Sequence, residues 1–559
     1  MRFFVSRIII CFLFSVAWSA MTFTVNCDDK VIKENIENSL QNYTLRFSEI
    51  DNDNATSIFN GAVRQIHAAL EPFGYFNPEI NKELLKGQGD LWFATFKIKL
   101  GQRAIIRNVF VSFKGEKIPH LNEELQKLKH LKSTLYDGGT IRVLQNNILK
   151  QFHKAGFITA DANDSFYRIN GKNIDLYFVF QSNQLFSYGP ITLKNKTKLN
   201  NQLIRRYFKF KPGDPFDADE MNELQEDLMK SNYFSQVMVK QQRSTHQEQI
   251  PVEVDLEKNK SVHTTYSFGY DSHYHLGGGL GFFVNPLNAY GHSLKFISRI
   301  STNNFYNFFF LYSIPGLDPI TTHYLYSLDF INLDLIDGTS KRASLSMGRR
   351  YQHQGRVIEP SINFALERSE PDNEASYTSH LFYPRLELGY QYRSKKNWIS
   401  FFKTNFDSLV ASEKILSDLS IARFNIHSEI MIPIAMLTLR MTNDLGQLSS
   451  SDLNDVPLSL NFYTGGPDSV RGYQFNSIGP GKYLKNITYE LQFPIRPPWK
   501  FIIFQDHGVA SNEWDTHMKV GTGVGLLWDL DFVGVKLTFA KAKDDPGQPL
   551  RFQLSVQSM

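Results

Sequence analysis

The sequence contains little cysteine and tryptophan, and it carries almost no net charge. It has two cysteines, Cys11 and Cys27, and Cys11 lies in an N-terminal apolar stretch. If that stretch is removed as a signal, an intramolecular disulfide and a cysteine-rich metal site are both excluded. Basic and acidic residues number 60 and 56, so the excess of positive charge typical of nucleic-acid binding is missing and we expect no nucleic-acid partner.

Motifs of common enzymes are also missing. The sequence contains no Gly-x-Ser-x-Gly, no His-Glu-x-x-His and no Gly-x-x-x-x-Gly-Lys, the patterns of serine hydrolases, zinc proteases and phosphate-binding loops. His263, His273, His275 and His292 lie close together in the sequence. Histidines in strands and turns are common, and we expect no metal there. We therefore expect neither enzymatic activity nor a cofactor.

The first 19 residues have the pattern of a secretory signal peptide. Arg2 and Arg7 precede an apolar core at 8–16, and Ala17 and Ser19 are small residues suited to a cleavage site. This core is too short to span a membrane comfortably as a helix, and no later run reaches about eighteen apolar residues. Any membrane insertion must therefore use strands.

Aromatic residues are abundant. They make up 14% of the chain and include 46 phenylalanines and 25 tyrosines, while the mean hydropathy is negative. This combination is typical of an outer-membrane barrel joined to soluble domains.

Three helices end in related ways between residues 20 and 259. Gly74, Gly156 and Asn232 stand at the positions of left-handed caps. The aromatic residues that follow these caps are 82 and 76 residues apart, too far for a solenoid repeat. Each unit has the pattern strand, helix, helix, strand, strand, and in the second unit a strand is expected over 157–168. We predict three α+β domains, at 20–100, 101–183 and 184–259.

The pattern changes at about residue 260, where runs of about ten residues alternate aromatic and polar side chains. We count eleven candidate strands before residue 462 and five after residue 481. Their length suits tilted membrane strands. The sequence thus predicts an all-β, sixteen-stranded transmembrane barrel over 260–559.

The stretch 462–481 contains five glycines and two prolines, which exclude a helix or a central strand. It also carries too much apolar surface for a solvated linker, and this indicates a loop, 446–482, that folds inward as a plug. An ordinary surface loop is the alternative, and composition alone does not decide between them. The centre of the stretch is Val470, Arg471, Gly472 and Tyr473.

Two strands after this loop carry carboxylates that could hold Arg471. Glu490 lies on the first and Asp506 on the second. Phe504 and Gly508 share one strand face with Asp506, because side chains alternate along a strand. A desolvated arginine is costly unless it makes charge-assisted hydrogen bonds. We therefore predict that Arg471 enters the lumen and contacts Asp506, with Glu490 nearby.

These residues resemble a known superfamily. Val470-Arg471-Gly472-Tyr473 and Phe504-x-Asp506-x-Gly508 resemble the loop and barrel-wall motifs of the outer-membrane protein assembly factor superfamily. The repeats are similar to its polypeptide-transport-associated (POTRA) domains. Three such domains resemble the translocation and assembly module branch (TamA). Five would suggest the general barrel-assembly subunit, and two after a plug helix a two-partner secretion transporter. Residues 555–559 lack the terminal aromatic typical of outer-membrane barrels.

The resemblance implies a non-enzymatic insertase in the bacterial outer membrane, with its N-terminal domains in the periplasm. Its first and last barrel strands would pair weakly, and Gly269 would loosen packing near that edge. Its partners would be the lipid bilayer, unfolded outer-membrane or autotransporter clients, and an inner-membrane-anchored TamB-like protein. The rival functions are a two-partner-secretion transporter and a passive pore.

Overall fold

The computed structural model describes residues 20–47, 50–88, 91–118, 121–242, 248–271, 275–394, 397–450, 455–529, 533–545, 547 and 549–558. The predicted signal peptide and His273 lie outside the described residues. The chain forms two compact units that divide within the third N-terminal domain. Among the described helices, none has the length and apolar content needed to cross a membrane.

The first domain places two helices against a three-stranded sheet. Its core buries Ile36, Leu40, Ile66 and Phe96 completely, which is why the apolar residues of both helices recur on one face. The sheet order is β1-β3-β2, with β1 parallel to β3. The elements are β1 (Ala20–Asn26), α1 (Lys30–Thr44), α2 (Ala55–Leu70), β2 (Glu79–Lys86) and β3 (Leu91–Lys99).

The next two domains repeat this order, as predicted. The second contains β4 (Ile105–Lys114), α3 (Asn122–Lys129), α4 (Gly138–Lys154), β5 (Phe166–Asn170) and β6 (Asn173–Gln181). The third contains β7 (Ser187–Asn195), α5 (Asn201–Arg205), α6 (Ala218–Lys230), β8 (Phe234–Gln241) and β9 (Gln249–Lys258). Their sheet orders are β4-β6-β5 and β7-β9-β8.

The prediction of a strand over 157–168 was wrong for most of that range, because β5 begins only at Phe166. Phe157 is 4% exposed and packs in the domain core. The amide of Ala160 donates to the carbonyl of Phe157 across 2.9 Å. The chain therefore turns after the cap before it can pair as a strand.

The left-handed caps are confirmed at Gly74, Gly156 and Asn232, with φ of 84°, 92° and 59°. The first two also join consecutive domains. The carbonyl of Gly74 accepts the amide of Ala104 at 2.9 Å, and that of Gly156 accepts the amide of Phe186 at 2.8 Å. The motif that ends a helix thus also fixes the start of the next domain.

Side chains reinforce the first of these joints. The Tyr167 hydroxyl donates to the Glu71 carboxylate, and the rings of Phe76, Tyr136 and Tyr167 pack against one another. Burial, together with Glu71, raises the pKa of the Tyr167 hydroxyl. Tyr167 therefore remains a neutral donor across this joint at physiological pH.

Sixteen antiparallel strands form one sheet after the third domain, which confirms the predicted number and the split of eleven and five. The short strands β21 (Phe462–Thr464) and β22 (Ile478–Gly481) pair within the loop. The first eleven wall strands are β10 (Val262–Asp271), β11 (His275–Val284), β12 (Ser293–Ser301), β13 (Tyr306–Pro315), β14 (Thr322–Leu335), β15 (Gly338–His353), β16 (Arg356–Pro371), β17 (Tyr377–Arg393), β18 (Phe401–Ala411), β19 (Ile421–Ile434) and β20 (Leu437–Ser450). The last five are β23 (Tyr483–Arg496), β24 (Trp499–Ser511), β25 (Lys519–Asp529), β26 (Val533–Ala542) and β27 (Arg551–Ser558).

The edges of this sheet, β10 and β27, approach each other within 8 Å between Cα atoms. Among the described residues, however, no hydrogen-bonded pairing joins them, whereas every other neighbouring pair in the sheet is hydrogen bonded. We call this junction the seam. The barrel wall is thus least strongly held where its first and last strands meet.

The inward loop begins later than the predicted residue 446. Strand β20 continues to Ser450, and Gly446 and Gln447 still pair with Leu484 and Tyr483 of β23. The glycine at 446 instead gives room to the loop, since a Cβ there would lie 2.5 Å from the Phe462 ring. Residue 446 is therefore a point of close approach between β20 and the loop, and the loop itself starts after Ser450.

Candidate functional site

Arg471 lies at the centre of the loop and reaches the barrel wall at β24. Its Nε and Nη2 donate to the two oxygens of Asp506 at 2.7 and 2.8 Å. Its backbone amide donates to the same carboxylate at 3.0 Å. Three donors of one residue thus converge on one carboxylate, a two-point contact that the planar guanidinium is suited to make.

Glu490, on the neighbouring strand β23, is a second acceptor. Arg471 Nη1 donates to Glu490 Oε2 at 2.9 Å, and Lys536 Nζ on β26 donates to the same oxygen at 3.2 Å. Gln492 donates to the other oxygen at 3.0 Å. The site therefore balances two cations with two carboxylates.

Phe504 completes the site on the wall side. The Arg471 guanidinium carbon lies 3.4 Å from the centre of the Phe504 ring, and Thr488 donates to Asp506 at 2.9 Å. Arg471 is 3% exposed, and Asp506 and Glu490 are fully buried. We call Arg471, Glu490, Phe504, Asp506 and Lys536 the Arg471 cluster. The charges of this cluster are desolvated, so burying each of them is costly unless its partners are present.

Two glycines let the loop approach the wall closely. A Cβ on Gly508 would lie 2.3 Å from the Val470 side chain, and one on Gly472 would lie 2.7 Å from the amide nitrogen of Ala542. Gly472 also has a φ of 96°, which favours glycine. Tyr473 and Val470 pack with Ala542 in a small buried cluster. Gly472 and Gly508 thus leave room for the loop to contact the wall, and the Arg471 cluster supplies the hydrogen bonds that hold it there.

The structure brings eight of the predicted site residues together at this place. They are Val470, Arg471, Gly472, Tyr473, Glu490, Phe504, Asp506 and Gly508. Gly269 lies elsewhere, on β10 at the seam, where it pairs with Gly277 of β11. Lys536 belongs to the site but was missed, because an inward lysine on an alternating strand has no distinctive spacing.

A second attachment of the loop was also missed. Glu367 on β16 is fully buried and accepts the amide and hydroxyl of Ser459 at 3.0 and 2.6 Å. Ser340 donates to it as well, at 2.7 Å. The first half of the loop is therefore bonded to the wall independently of Arg471.

Arg423 on β19 strengthens this attachment. Its Nε donates to the carbonyl of Leu460 at 3.0 Å, and its guanidinium lies 4.3 Å from the centre of the Phe462 ring. We call Glu367 and Arg423, with the loop residues they hold, the Glu367 anchor. Inward charges are ordinary in a polar barrel lumen, so neither residue could be singled out from its local pattern.

Replacing Glu367 with alanine is expected to loosen the first half of the loop while the Arg471 cluster remains formed. Buried donors left without an acceptor cost about 1–3 kcal/mol each. Hydrogen exchange at the Ser459 amide should therefore become faster by tenfold or more.

Glu359→Ala is the matched control, because this wall glutamate bonds Arg350 at 2.6 Å rather than a loop residue. It should leave exchange at Ser459 unchanged. Equal exchange in the wild type and Glu367→Ala would contradict the anchor.

The comparisons with known proteins agree with this architecture. Residues 254–557 match the Omp85 superfamily domain. The chain belongs to the Omp85 superfamily. Residues 22–100 match the first POTRA domain of TamA, and residues 186–259 match the surface antigen variable number repeat, a POTRA family.

Two curated relatives are similar over different lengths. The outer membrane protein assembly factor BamA of Nitratidesulfovibrio vulgaris is 20% identical over 535 residues, which cover 86% of this chain and 65% of that protein. The chloroplastic outer envelope protein 80 of Arabidopsis thaliana is 32% identical over 100 residues, which cover 16% of this chain and 12% of that protein. The matched regions thus span less than two thirds of either relative.

Solved structures share the fold. BamA from Haemophilus ducreyi lacking POTRA domains 1–3 has a TM-score of 0.61 at 14% identity, covering 82% of this chain and all of that one. CdiB from Acinetobacter baumannii has a TM-score of 0.51 at 14% identity, covering 94% and 98%. With the family matches, this fold shows that the Omp85 protein is an outer-membrane β-barrel with N-terminal POTRA domains in the periplasm.

Proposed function

We propose that this Omp85 protein is a non-enzymatic insertase subunit that helps unfolded outer-membrane proteins, autotransporters among them, to enter the membrane at the seam. The observation that carries the proposal is the missing ladder between β10 and β27 in the described residues of an otherwise paired wall. A strand entering lipid must satisfy its backbone polar groups. An unpaired edge offers a template for doing so.

In this proposal the loop keeps the lumen closed while the seam opens to admit a client strand. The Arg471 cluster and the Glu367 anchor hold the loop to strands on separate parts of the wall, β24 and β16. A barrel that opens sideways needs such an internal support, because the wall alone gives little resistance at the seam. Val470, Gly472, Tyr473 and Gly508 would then be positioning residues, and Gly269 would ease opening.

The periplasmic domains would hold clients before insertion. Each three-stranded sheet leaves edge strands, such as β2, β5 and β8, to which an extended segment can add. The match of residues 22–100 to a TamA-type domain supports docking of an inner-membrane-anchored TamB-like partner. We retain domain boundaries at 20–100, 101–183 and 184–259 as part of this proposal.

Depletion of the protein followed by surface proteomics tests the function. The insertase proposal predicts that the surface abundance of several barrel proteins or autotransporters falls together, whereas the abundance of unrelated lipoproteins does not change. Loss of one secreted protein alone would contradict it. That outcome would favour a two-partner-secretion transporter, the alternative suggested by the CdiB-like fold.

A passive pore is the other alternative. The loop, attached at both the Arg471 cluster and the Glu367 anchor, argues against an open channel. Conductance in planar bilayers separates the two: small, flickering currents are expected from a plugged barrel. Large, steady currents would favour the pore.

A further inference from the structure

The outer wall of the barrel carries a groove of about 660 Å³ across strands β14 to β18. Most of its lining is apolar and faces away from the lumen. Its lining contains both long apolar side chains and three shorter residues, Pro360, Pro384 and Ser408. The long apolar side chains are Tyr324, Tyr326, Met347, Ile362, Leu386 and Val410.

The two prolines lie where the hydrogen-bond ladders of the wall are interrupted. The β15–β16 register runs to Gly348↔Ser361 and resumes at Tyr351↔Ile358, and Pro360 lies in the gap. The β17–β18 ladder stops at Arg385↔Leu409, beside Pro384. A proline cannot donate to a ladder. The position of the groove thus coincides with prolines in two adjacent strands, Pro360 in β16 and Pro384 in β17.

Two arginines line this largely apolar groove, Arg349 and Arg385. Arg385 forms ion pairs with Asp407 and Glu387. Arg349 is exposed, and its guanidinium lies 5.7 Å from the centre of the Tyr324 ring. Its neighbour Arg350 bonds Glu359, but no carboxylate of the described residues forms an ion pair with Arg349. A charge facing lipid is costly unless it reaches the interface or a counter-charge.

The groove runs obliquely from one membrane interface toward the interior. Tyr324 is the third residue of β14 and Ser408 the eighth of β18. Both strands start at the same end of the barrel as β10, because each follows an even number of preceding wall strands. The Arg349 end therefore lies near the periplasmic surface, and the Val410 end lies deeper in the membrane.

We propose that this groove binds an anionic phospholipid of the inner leaflet. Its phosphate would bond Arg349, because a guanidinium presents paired donors to phosphate oxygens. An acyl chain would lie along Ile362, Leu386 and Val410. The charge supplies selectivity for an anionic headgroup, and the long apolar side chains supply contact with the acyl chain.

Native mass spectrometry of the full chain, titrated with phosphatidylglycerol or phosphatidylethanolamine, tests the site. The wild type should retain phosphatidylglycerol preferentially. Arg349→Gln should weaken its retention about tenfold, the effect of losing one charge-assisted contact. Arg349→Lys should keep part of the preference. Ser408→Phe, which adds a bulky side chain to the lining but keeps the charge, should weaken retention of both lipids.

Arg393→Gln is the matched control. Arg393 also lies over an aromatic ring, 5.4 Å from the centre of Phe401, but it does not line the groove. The Arg393→Gln variant should bind phosphatidylglycerol as the wild type does. Equal losses in Arg349→Gln and Arg393→Gln, no preference for the anionic lipid in the wild type, or retention of lipid A in its place would each overturn the proposal. Each variant is first checked for the heat-dependent gel mobility of a folded barrel.

Discussion

Alanine at position 471 is expected to release the centre of the loop from the wall and to stop client assembly. Asp506 and Glu490 are fully buried and would lose three side-chain hydrogen bonds from the guanidinium. Removing one partner of a buried ion pair costs about 3–5 kcal/mol. Lys536 remains to neutralise Glu490, whereas Asp506 keeps no cation of the cluster.

Proteinase K added to intact cells measures the release. The segment around residues 465–477 should become cleavable in Arg471→Ala, and assembly of an autotransporter client should fall at least tenfold. Residues 455–460 should stay protected, because the Glu367 anchor holds them separately. Lysine should restore function only in part, since it cannot make the two-point contact.

Arg496→Ala is the control for loss of a positive charge, because Arg496 is exposed at the end of β23. It should behave as the wild type in both assays. A protected loop with full client assembly in Arg471→Ala would show that the cluster is not needed to hold the plug.

Locking the seam with a disulfide is expected to abolish client assembly while leaving the barrel folded. One cysteine is placed at 265–268 of β10 and one at 551–554 of β27, in a background in which Cys27 is serine. Pairs that crosslink under oxidation should lose nearly all activity and regain it with reductant. The physical reason is that a covalent bond prevents the edge strands from separating to admit a client.

A disulfide within the paired wall controls for the crosslink itself. Ser327 and Ser346 are cross-strand partners in β14 and β15, and joining them should not impair assembly. Full activity of the crosslinked seam would refute lateral opening as the mechanism. Equal inhibition by both disulfides would attribute the loss to general rigidity of the barrel.

Much of this architecture could be predicted from local patterns. Helix caps need a particular backbone conformation, so Gly74, Gly156 and Asn232 revealed the repeats. Period-two alternation revealed the strands because one face meets lipid and the other the lumen. Arg471 could be placed because a lone cation in an apolar loop needs a buried carboxylate, and Asp506 lay within reach on a nearby strand.

The rest depends on contacts between residues that are distant in sequence. Glu367 and Ser459 are 92 residues apart, and nothing near either one marks the pair. Lys536 looks like any lumen residue until β26 and β23 are placed in one wall. The start of β5 was misjudged for a related reason, since burial of Phe157 in the domain core competes with strand pairing.

Site-specific crosslinking of a client to the barrel tests the central claim most directly. A photoreactive residue at Phe268, on the exposed edge strand β10, is compared with one at Phe364 of β16, which also faces outward, and one at Ser346 in the lumen. The insertase account predicts that a stalled client crosslinks at Phe268, through its terminal strand, and not at the other two positions. Crosslinking at Ser346 with none at Phe268 would place the client in the channel and contradict insertion at the seam.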